Sequence, residues 1–330
     1  MKHHFVHKAP PRGGIFIDRQ RARSGGTARR RNAWSLIRQN PGVYMLLLPG
    51  LVYLIVFKYV PMAGLTMAFQ DFSIFRGMAG SPWVGLKNFQ RLFASQEFYT
   101  LFRNSVVISV YKLVLLFPIP ILLALMLNEI RNLMFKKTIQ TVIYLPHFLS
   151  WVIISGLFAN ILSPSTGIVN QVIRFFGGES ISFMMDKTVF RGVLVFTQGW
   201  KESGWSAIIY IAAIAGIDPE LYEAATVDGA GRFRQMLSIT LPSIVPTIVL
   251  MLIIKLGYIM DAGFEQVLMM YNPTVYDVAD ILQTYVYRVG LGKMEYSFST
   301  AVGMFNSVIG FALVISGNFL SRRLVGKSIW

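Results

Sequence analysis

Six long apolar runs constrain this 330-residue chain more than any other feature of its sequence. A helix rises 1.5 Å per residue, so a hydrocarbon core of about 30 Å needs about 20 apolar residues. The runs are close to that length or longer: Gly42–Val60, Asn104–Leu127, Ile139–Ile161, Gly192–Ile217, Ile244–Phe264 and Phe298–Leu320. Only 14% of the residues are charged, well below the roughly 25% of soluble domains. We therefore predict an all-α membrane protein with six transmembrane helices.

Proline residues lie inside several of these runs. They are Pro49, Pro118, Pro120, Pro146 and Pro246. A membrane helix tolerates proline when neighbouring groups satisfy the freed backbone. We therefore expect some of the spans to be kinked.

The positive charge of the chain is concentrated in its N-terminal tail. The formal net charge is +15, and residues 1–38 hold ten Lys or Arg against a single Asp. A basic tail before a membrane span is typical of a cytoplasmic segment attracted to anionic lipid, and we do not expect nucleic acid as a partner. With this tail inside, the inner segments hold 18 basic residues and the outer ones eight, which predicts that both termini are cytoplasmic. Without the tail each side holds eight, so the predicted orientation depends on it.

These observations predict three regions. Residues 1–38 form a basic cytoplasmic tail, residues 39–325 form the six-helix membrane domain, and residues 326–330 form a cytoplasmic C-terminal tail. The chain has no cysteine, so disulfides and thiolate metal sites are excluded. The histidines His3, His4 and His7 are assigned to the solvated tail, and we expect no metal site.

A polar stretch interrupts the apolar pattern between the fourth and fifth spans, over residues 218–242, here called the coupling loop. Asp218-Pro219-Glu220 offers a capping acceptor, a proline at the first helical position and an acid at the positive helix end. Gly229 and Gly231 permit a turn with positive φ. We predict a helix, a tight turn and a second helical piece over Arg232 to Ile239 that returns to the membrane at Leu241-Pro242.

The spacing in this loop is more specific than an ordinary amphipathic connection requires. It reads Glu-Ala-Ala, three residues, Gly, nine residues, Ile, one residue and Leu-Pro, which here are Glu223, Ala224, Ala225, Gly229, Ile239, Leu241 and Pro242. This pattern resembles the EAA loop of permease subunits of binding-protein-dependent ABC importers. Further segments, such as YLPHFLSWV at 144–152 and GWKESGWSAIIYIAAIAGIDPELYEAA at 199–225, resemble the LplB-type oligosaccharide and polysaccharide branch of that family.

The resemblance implies a fold, a role and partners. The fold would be the six-helix permease bundle of the maltose-importer type, and the loop, including Asp228, would insert into a groove of an ATPase subunit. ATP and Mg²⁺ would be bound by that partner ATPase, and this chain would carry no cofactor and no catalytic site. An ATPase dimer offers two such grooves, whereas this chain has a single loop of this type. A second, related permease subunit is therefore implied, together with an extracytoplasmic solute-binding protein and a bacterial cytoplasmic membrane.

Ionisable side chains inside the apolar runs are candidates for the substrate path, because they are costly at membrane depth and usually face a bundle interior or water. Lys201 and Glu202 are adjacent and therefore point about 100° apart on a helix. We expect one of them to be paired structurally, and Lys112 to snorkel or to face the path. His147 is more typical of a packing histidine than of a catalytic one. The complete candidate set, with its neighbouring aromatic residues, is Lys112, Trp200, Lys201, Glu202, Trp205, Lys255, Tyr258 and Asp261.

The excess of intramembrane lysines over acids, together with the LplB-type resemblance, predicts import of an acidic oligosaccharide such as a uronate of the alginate or aldouronate type. If the lysines instead snorkel or pair with Glu202 and Asp261, a neutral oligosaccharide is equally suited. A self-sufficient secondary transporter would show internal repeats around a mid-membrane ion site, and none is evident. A membrane glycan transferase would need converging acids, whereas Asp277, Asp280 and Glu295 are scattered in the sequence.

Overall fold

A computed structural model of the chain describes residues 41–325, and the two predicted tails lie outside the described residues. The chain divides between residues 62 and 63 into two compact units. Regular structure in the described part is helical, apart from an isolated antiparallel bridge between Gln70 and Trp83. The prediction of an all-α protein is therefore confirmed.

The first unit holds the whole of the first predicted span, Gly42–Val60. Helix α1 covers Pro41–Leu54 and continues through a π-helical turn at Ile55–Tyr59. The 3₁₀ segment Val60–Phe69 completes a helical stretch of 29 residues, Pro41–Phe69. Pro49 lies inside α1 without ending it.

The second unit contains the remaining helices. They are α2 (Gly77–Gly80), α3 (Lys87–Ala94), α4 (Gln96–Leu116), α5 (Pro118–Glu129), α6 (Leu133–Tyr144), α7 (Trp151–Ile161), α8 (Ile168–Phe175), α9 (Phe190–Ala215), α10 (Pro219–Val227), α11 (Arg232–Gln235), α12 (Leu241–Gly257), α13 (Phe264–Met270), α14 (Tyr276–Ala279), α15 (Leu282–Tyr287) and α16 (Tyr296–Val325). Short 3₁₀ turns lie at Leu145–Phe148, Ile259–Asp261 and Pro273–Val275, and π-helical turns at Met236–Thr240 and Arg288–Gly292.

Four helical stretches in the described residues are long and apolar enough to cross a membrane: Pro41–Phe69, Gln96–Glu129, Arg232–Gly257 and Tyr296–Arg323. They contain or overlap the first, second, fifth and sixth predicted spans. The fourth predicted span corresponds to α9, which is 26 residues long but more polar. At 1.5 Å per residue α9 is about 39 Å long, which is sufficient to cross the hydrocarbon core.

The third predicted span is not one continuous helix. Leu133–Phe148 and Trp151–Ile161 meet at an angle of 104°. Pro146 lies in the 3₁₀ turn before the bend, and the Ser150 side chain accepts from the amide of Ile153 to begin α7. A proline followed by a capping serine ends one helix and starts another, so the kink expected at Pro146 is a break.

The fifth predicted span needs a correction at both ends. The structure begins this helix at Arg232 and ends it at Gly257, whereas the sequence predicted Ile244 to Phe264. The helix ends at its C-cap residue Tyr258, which has a φ of −102° and a ψ of 8°, and the left-handed residues Ala262 and Gly263, with φ of 54° and 81°, then lead into α13. Lys255 therefore lies in the last turn of the helix, and Tyr258 and Asp261 lie in the irregular segment beyond it.

Helix α9 is central to the packing of the second unit. Near its start, Phe190 and Leu194 join a buried cluster with Ile154 of α7 and Val267 of α13. Near its end, Tyr210 joins Ala124, Leu125 and Ile244. Between them Gly204 allows close approach, because a Cβ at this position would overlap the carbonyl of Ile143. A further cluster packs α3 and α4 against α15 and α16.

Candidate functional sites: the coupling loop and a polar cavity

The coupling loop folds as its capping residues predict. The Asp218 carboxylate accepts from the amide of Glu220 at 3.0 Å, and Pro219 occupies the first turn of α10. Nine residues later the helix ends in a Schellman motif, in which the amide of Ala230 donates to the carbonyl of Ala225 and that of Gly229 to Thr226. Gly229 has a φ of +74°, which confirms the predicted turn.

The return to the membrane differs from the prediction. The second helical piece predicted over Arg232 to Ile239 does not stop before Leu241-Pro242, because the chain forms one helical stretch from Arg232 to Gly257. The π-helical turn Met236–Thr240 joins α11 to α12. Pro242 lies just after this π-helical turn, and local π-helical geometry is one way in which a membrane helix accommodates the missing backbone N–H of a proline.

The loop presents a largely exposed surface. Glu223, Ala224, Asp228 and Gly229 are exposed, whereas Ala225, Ile239 and Leu241 are half-buried. Two large apolar side chains, Val227 and Phe233, are 89% and 70% exposed. This surface is therefore available for a partner protein.

Side-chain contacts hold the loop against the membrane helices. The Tyr222 hydroxyl lies 2.9 Å from the Thr240 hydroxyl, and Gln235 donates to the Thr226 hydroxyl at 2.9 Å. Arg232 approaches Glu129 at the end of α5 at 3.7 Å. The coupling loop is thereby connected to α5 through Arg232 of α11, and α10 contacts the helical stretch that continues into α12.

A polar cavity of about 290 Å³ lies between α4, α9 and the end of α12. It brings together five of the eight predicted path residues, which are Lys112, Glu202, Lys255, Tyr258 and Asp261. Further polar groups on its wall come from Ser109, Gln198, Ser203 and Ser206. The structure places Lys201, Trp200 and Trp205 outside this lining.

Lys112 does not snorkel. Its ammonium donates to the carbonyl of Ala262 at 2.8 Å and to the side-chain oxygen of Gln266. Gln266 is fully buried, and its amide donates to the carbonyl of Leu194 at 2.7 Å and to the Thr197 hydroxyl at 2.6 Å. Lys112 and Gln266 therefore join α4, α9 and α13 at the left-handed turn.

The two acids of the cavity also have local roles. Asp261 accepts from the amides of Phe264 and Gly263 at 2.8 and 3.2 Å, and so caps α13. Glu202 lies 3.1 Å from the Nδ1 atom of His147. That histidine ring stacks in parallel on Trp205, with centroids 4.4 Å apart. His147 is thus a packed histidine that orients a cavity acid.

Lys201 points away from its neighbour Glu202 and is only 7% exposed. Its ammonium donates to the carbonyls of His147 and Leu149, each at 2.6 Å, at the break between α6 and α7. Because these carbonyls lack partners within a helix, the charge of Lys201 satisfies them. Lys201 therefore has a structural role.

Lys255 differs from both other lysines. Its half-buried side chain reaches the cavity but makes no hydrogen bond or salt bridge within residues 41–325. Glu202 lines the same cavity. Of the three lysines in the candidate set, Lys112, Lys201 and Lys255, only Lys255 makes no hydrogen bond or salt bridge in the described chain, which leaves its donors available to a ligand.

Sequence reasoning missed the neutral polar residues of this site. Gln198 lines the cavity, and its side-chain oxygen is buried without a hydrogen-bond partner among the described residues. Gln266 bridges Lys112 to α9, as described above. Gln198 was overlooked because only charged and aromatic residues were considered inside the apolar runs, and a glutamine in such a run was the signal that could have revealed it. Gln266 lies two residues beyond the fifth predicted run, so it carried no such signal.

The remaining candidate residues lie elsewhere. Trp200 packs edge-on against Phe158, with centroids 5.5 Å apart, and lines a separate apolar groove between α4, α6 and α9. The acids that would serve a glycan transferase are each paired, Glu295 with Arg91, Asp280 with Arg288 and Asp277 with Lys187. Among residues 41–325 no cluster of three or more His, Asp or Glu is placed to hold a metal ion.

Comparison with known proteins agrees with this architecture. The chain is 48% identical over 302 residues to the polygalacturonan/rhamnogalacturonan transport system permease protein YteP of Bacillus subtilis, covering 92% of this chain and 94% of YteP. It is 43% identical over 298 residues to protein LplB of the same organism, covering 90% and 94%.

Solved structures show the same fold. A chain of a bacterial ABC transporter involved in the import of the acidic polysaccharide alginate superposes with a TM-score of 0.81 and 42% identity, covering 88% of this chain and 98% of that one. A second structure, of a bacterial alginate ABC transporter in complex with an alginate pentasaccharide-bound periplasmic protein, gives a TM-score of 0.82 and 41% identity, covering 90% and 99%.

The family comparison covers most of the second unit. Residues 117–326 match the family described as the binding-protein-dependent transport system inner membrane component. This range contains the coupling loop and most of the cavity wall. The chain belongs to this family, and it is a membrane-embedded permease component of an ABC importer.

Proposed function

We propose that this chain is one of two related permease subunits of an importer that carries an acidic oligosaccharide into the bacterial cytoplasm. The observation that carries the proposal is the polar cavity with the unpaired ammonium of Lys255, in a chain that also presents an exposed coupling loop. A carboxylate of a uronate residue would find in Lys255 a donor that no other group of residues 41–325 occupies. The relatives support this choice, since the solved transporter imports the acidic polysaccharide alginate.

The same proposal assigns the partners. An ABC ATPase dimer would bind ATP and Mg²⁺ and receive α10 in a groove, with Glu223, Ala224, Ala225 and Asp228 at the contact. An extracytoplasmic solute-binding protein would deliver the sugar, and the related alginate transporter has been solved in complex with an alginate pentasaccharide-bound periplasmic protein. Both termini would lie in the cytoplasm, where the basic tail meets anionic lipid.

The mechanism follows from how the loop is attached. Closure of the ATPase dimer on ATP would displace α10, and the contacts of Tyr222 with Thr240 and of Arg232 with Glu129 would pass this movement to α12 and α5. Both helices contribute to the cavity wall, through Pro120 of α5 and through Ile254 and Lys255 of α12. Access to the cavity would thus alternate between the two sides of the membrane.

The neutral-oligosaccharide alternative rests on the two acids of the cavity. Asp261 is occupied as a helix cap and Glu202 is held by His147, so neither neutralises Lys255 through a direct salt bridge in the described chain. We therefore favour the acidic substrate.

The experiment that tests this function begins with purification of the chain in mild detergent and mass spectrometry of what accompanies it. We expect a second related permease and an ABC ATPase. After reconstitution with the binding protein, uronate oligomers should stimulate ATP hydrolysis more than size-matched neutral oligomers. Transport by the chain alone, without any ATPase, would overturn the proposal, and equal stimulation by neutral oligomers would remove its acidic part.

A further inference from the structure

Helix α8 carries an apolar face that no other part of the described chain covers. Ile168, Val172 and Phe175 lie at positions i, i+4 and i+7, which places them on one side of the helix, and Phe176 follows directly. The four side chains are between 51% and 85% exposed. The rings of Phe175 and Phe176 meet edge to face, with centroids 5.4 Å apart. A contiguous patch of this kind marks an interaction surface.

The opposite side of α8 is fixed firmly to the fold. Asn170 is fully buried, and its amide donates to the carbonyls of Leu162, Ser163 and Ile181 at 3.0 to 3.2 Å. Its side-chain oxygen accepts from the amide of Ile181 at 2.8 Å. Gly167 allows the close approach, because a Cβ there would overlap the backbone of Ile161 and Ser163. The exposed face therefore belongs to a positioned helix.

The charge of the helix is turned away from this face. Arg174 is the one charged residue of α8, and its guanidinium donates to the carbonyls of Pro164 and Ser165 and to the Ser180 hydroxyl, at 2.7 to 3.2 Å. The face itself is left without any charged group. A surface that binds and releases a soluble protein is on average no more apolar than the rest of a protein surface. A uniformly apolar face does not fit that use.

The position of α8 places this face at the edge of the membrane. Asn170 ties the helix to the carbonyls that directly follow α7, and α7 packs with the first turns of α9 in one buried cluster. α8 thus lies at the end of the bundle where α9 begins, and α9 is long enough to cross the hydrocarbon core. An amphipathic helix at this level typically lies in the plane of the interface with its apolar face in lipid.

We propose that α8 is a membrane-interface helix, and that Ile168, Val172, Phe175 and Phe176 are inserted between the lipids of the adjacent leaflet. The partner of this surface is the bilayer itself. The contact anchors the connection between α7 and α9 and fixes the height of the bundle in the membrane. This inference does not depend on which sugar is carried.

The absence of native cysteine allows a direct test by site-directed spin labelling of the assembled importer in lipid vesicles. Single cysteines are introduced as V172C and F175C on the apolar face, and as E179C at an exposed position beyond the helix as the matched control. We expect labels at 172 and 175 to collide several-fold more with oxygen than with a water-soluble nickel chelate. The label at 179 should show the reverse preference.

A second measurement on unlabelled cysteine variants keeps the proposal falsifiable if a label disturbs the fold. A membrane-impermeant maleimide should react several-fold more slowly at positions 172 and 175 than at 179. Free access of the nickel chelate or the maleimide to all three positions would overturn the proposal. So would exclusion of both oxygen and the chelate from 172 and 175, because a protein partner and not lipid would then cover the face.

Discussion

Lys112 and Lys255 show how differently one residue type can be used inside a membrane bundle. Lys112 is bonded to a backbone carbonyl and to buried Gln266, whereas Lys255 makes no hydrogen bond in the described chain. Removing Lys112 leaves two acceptors without their donor, and each unsatisfied buried group costs about 1 to 3 kcal/mol. Removing Lys255 leaves no hydrogen-bond partner behind.

We therefore predict that Lys112→Met lowers the stability of the subunit by about 2 kcal/mol or more, and that Lys255→Met changes it by about 0.5 kcal/mol or less. Thermal unfolding of the purified complex in detergent measures both. Both variants replace a lysine by a methionine, so each serves as the control for the other. Equal losses would contradict the different roles assigned to the two lysines.

At the scale of one element, the coupling loop depends on the turn at Gly229. Its φ of +74° is the left-handed region, where a β-branched residue is strained. Gly231, two residues later, has a φ of −65° and open space where a Cβ would be placed. The same substitution at the two positions therefore separates backbone strain from added bulk.

We expect Gly229→Val to cost about 1 to 2 kcal/mol locally, to weaken association with the ATPase and to abolish transport, while the subunit still inserts. Gly231→Val should retain most of both activities. Glu223→Lys should also uncouple transport, by reversing an exposed charge at the proposed contact. Pull-down of the ATPase and uptake in vesicles measure these effects. Normal transport by both Gly229→Val and Glu223→Lys would show that the loop is merely structural.

The elements that could be predicted from sequence are those fixed by local chemistry. The Asp218 cap, the Gly229 turn and the apolar helices follow from residues within one or two turns of each other. The bend of 104° in the third span exceeds the kink expected at Pro146, and it could not be predicted in full because Lys201 donates to the carbonyls of His147 and Leu149 from more than 50 positions away. The turn that follows α12 was not predicted either, because Lys112 bonds to the carbonyl of Ala262 across a sequence separation of 150.

The cavity, too, could be predicted from the sequence only in part. The charged residues of the cavity were identifiable because charge stands out in an apolar run, but their division into bonded and available groups is a tertiary property. Lys201 and Lys255 are equally conspicuous in the sequence, and only the packing of α6, α7 and α9 occupies the donors of Lys201. Gln198 carries no charge and was therefore missed.

For the whole molecule, the orientation in the membrane remains a prediction that depends on the basic tail. Single cysteines at Arg30 and Arg232 should react only with reagents added on the cytoplasmic side, and cysteines at Gly80 and Glu179 only from outside. Inside-out and right-side-out vesicles give the comparison, and the cysteine-free chain serves as the blank. Labelling of position 232 from outside would rule out contact of the coupling loop with a cytoplasmic ATPase.

The central claim is that this permease passes an acidic oligosaccharide through the cavity at Lys255. The most direct test is uptake of labelled uronate oligomers, against size-matched neutral oligomers, by vesicles holding the complete importer with its binding protein and ATP. We predict that the wild-type importer prefers the uronate, that Lys255→Met loses most of this preference while still carrying neutral oligomers, and that Lys255→Arg retains it. An unchanged preference in Lys255→Met would contradict the account.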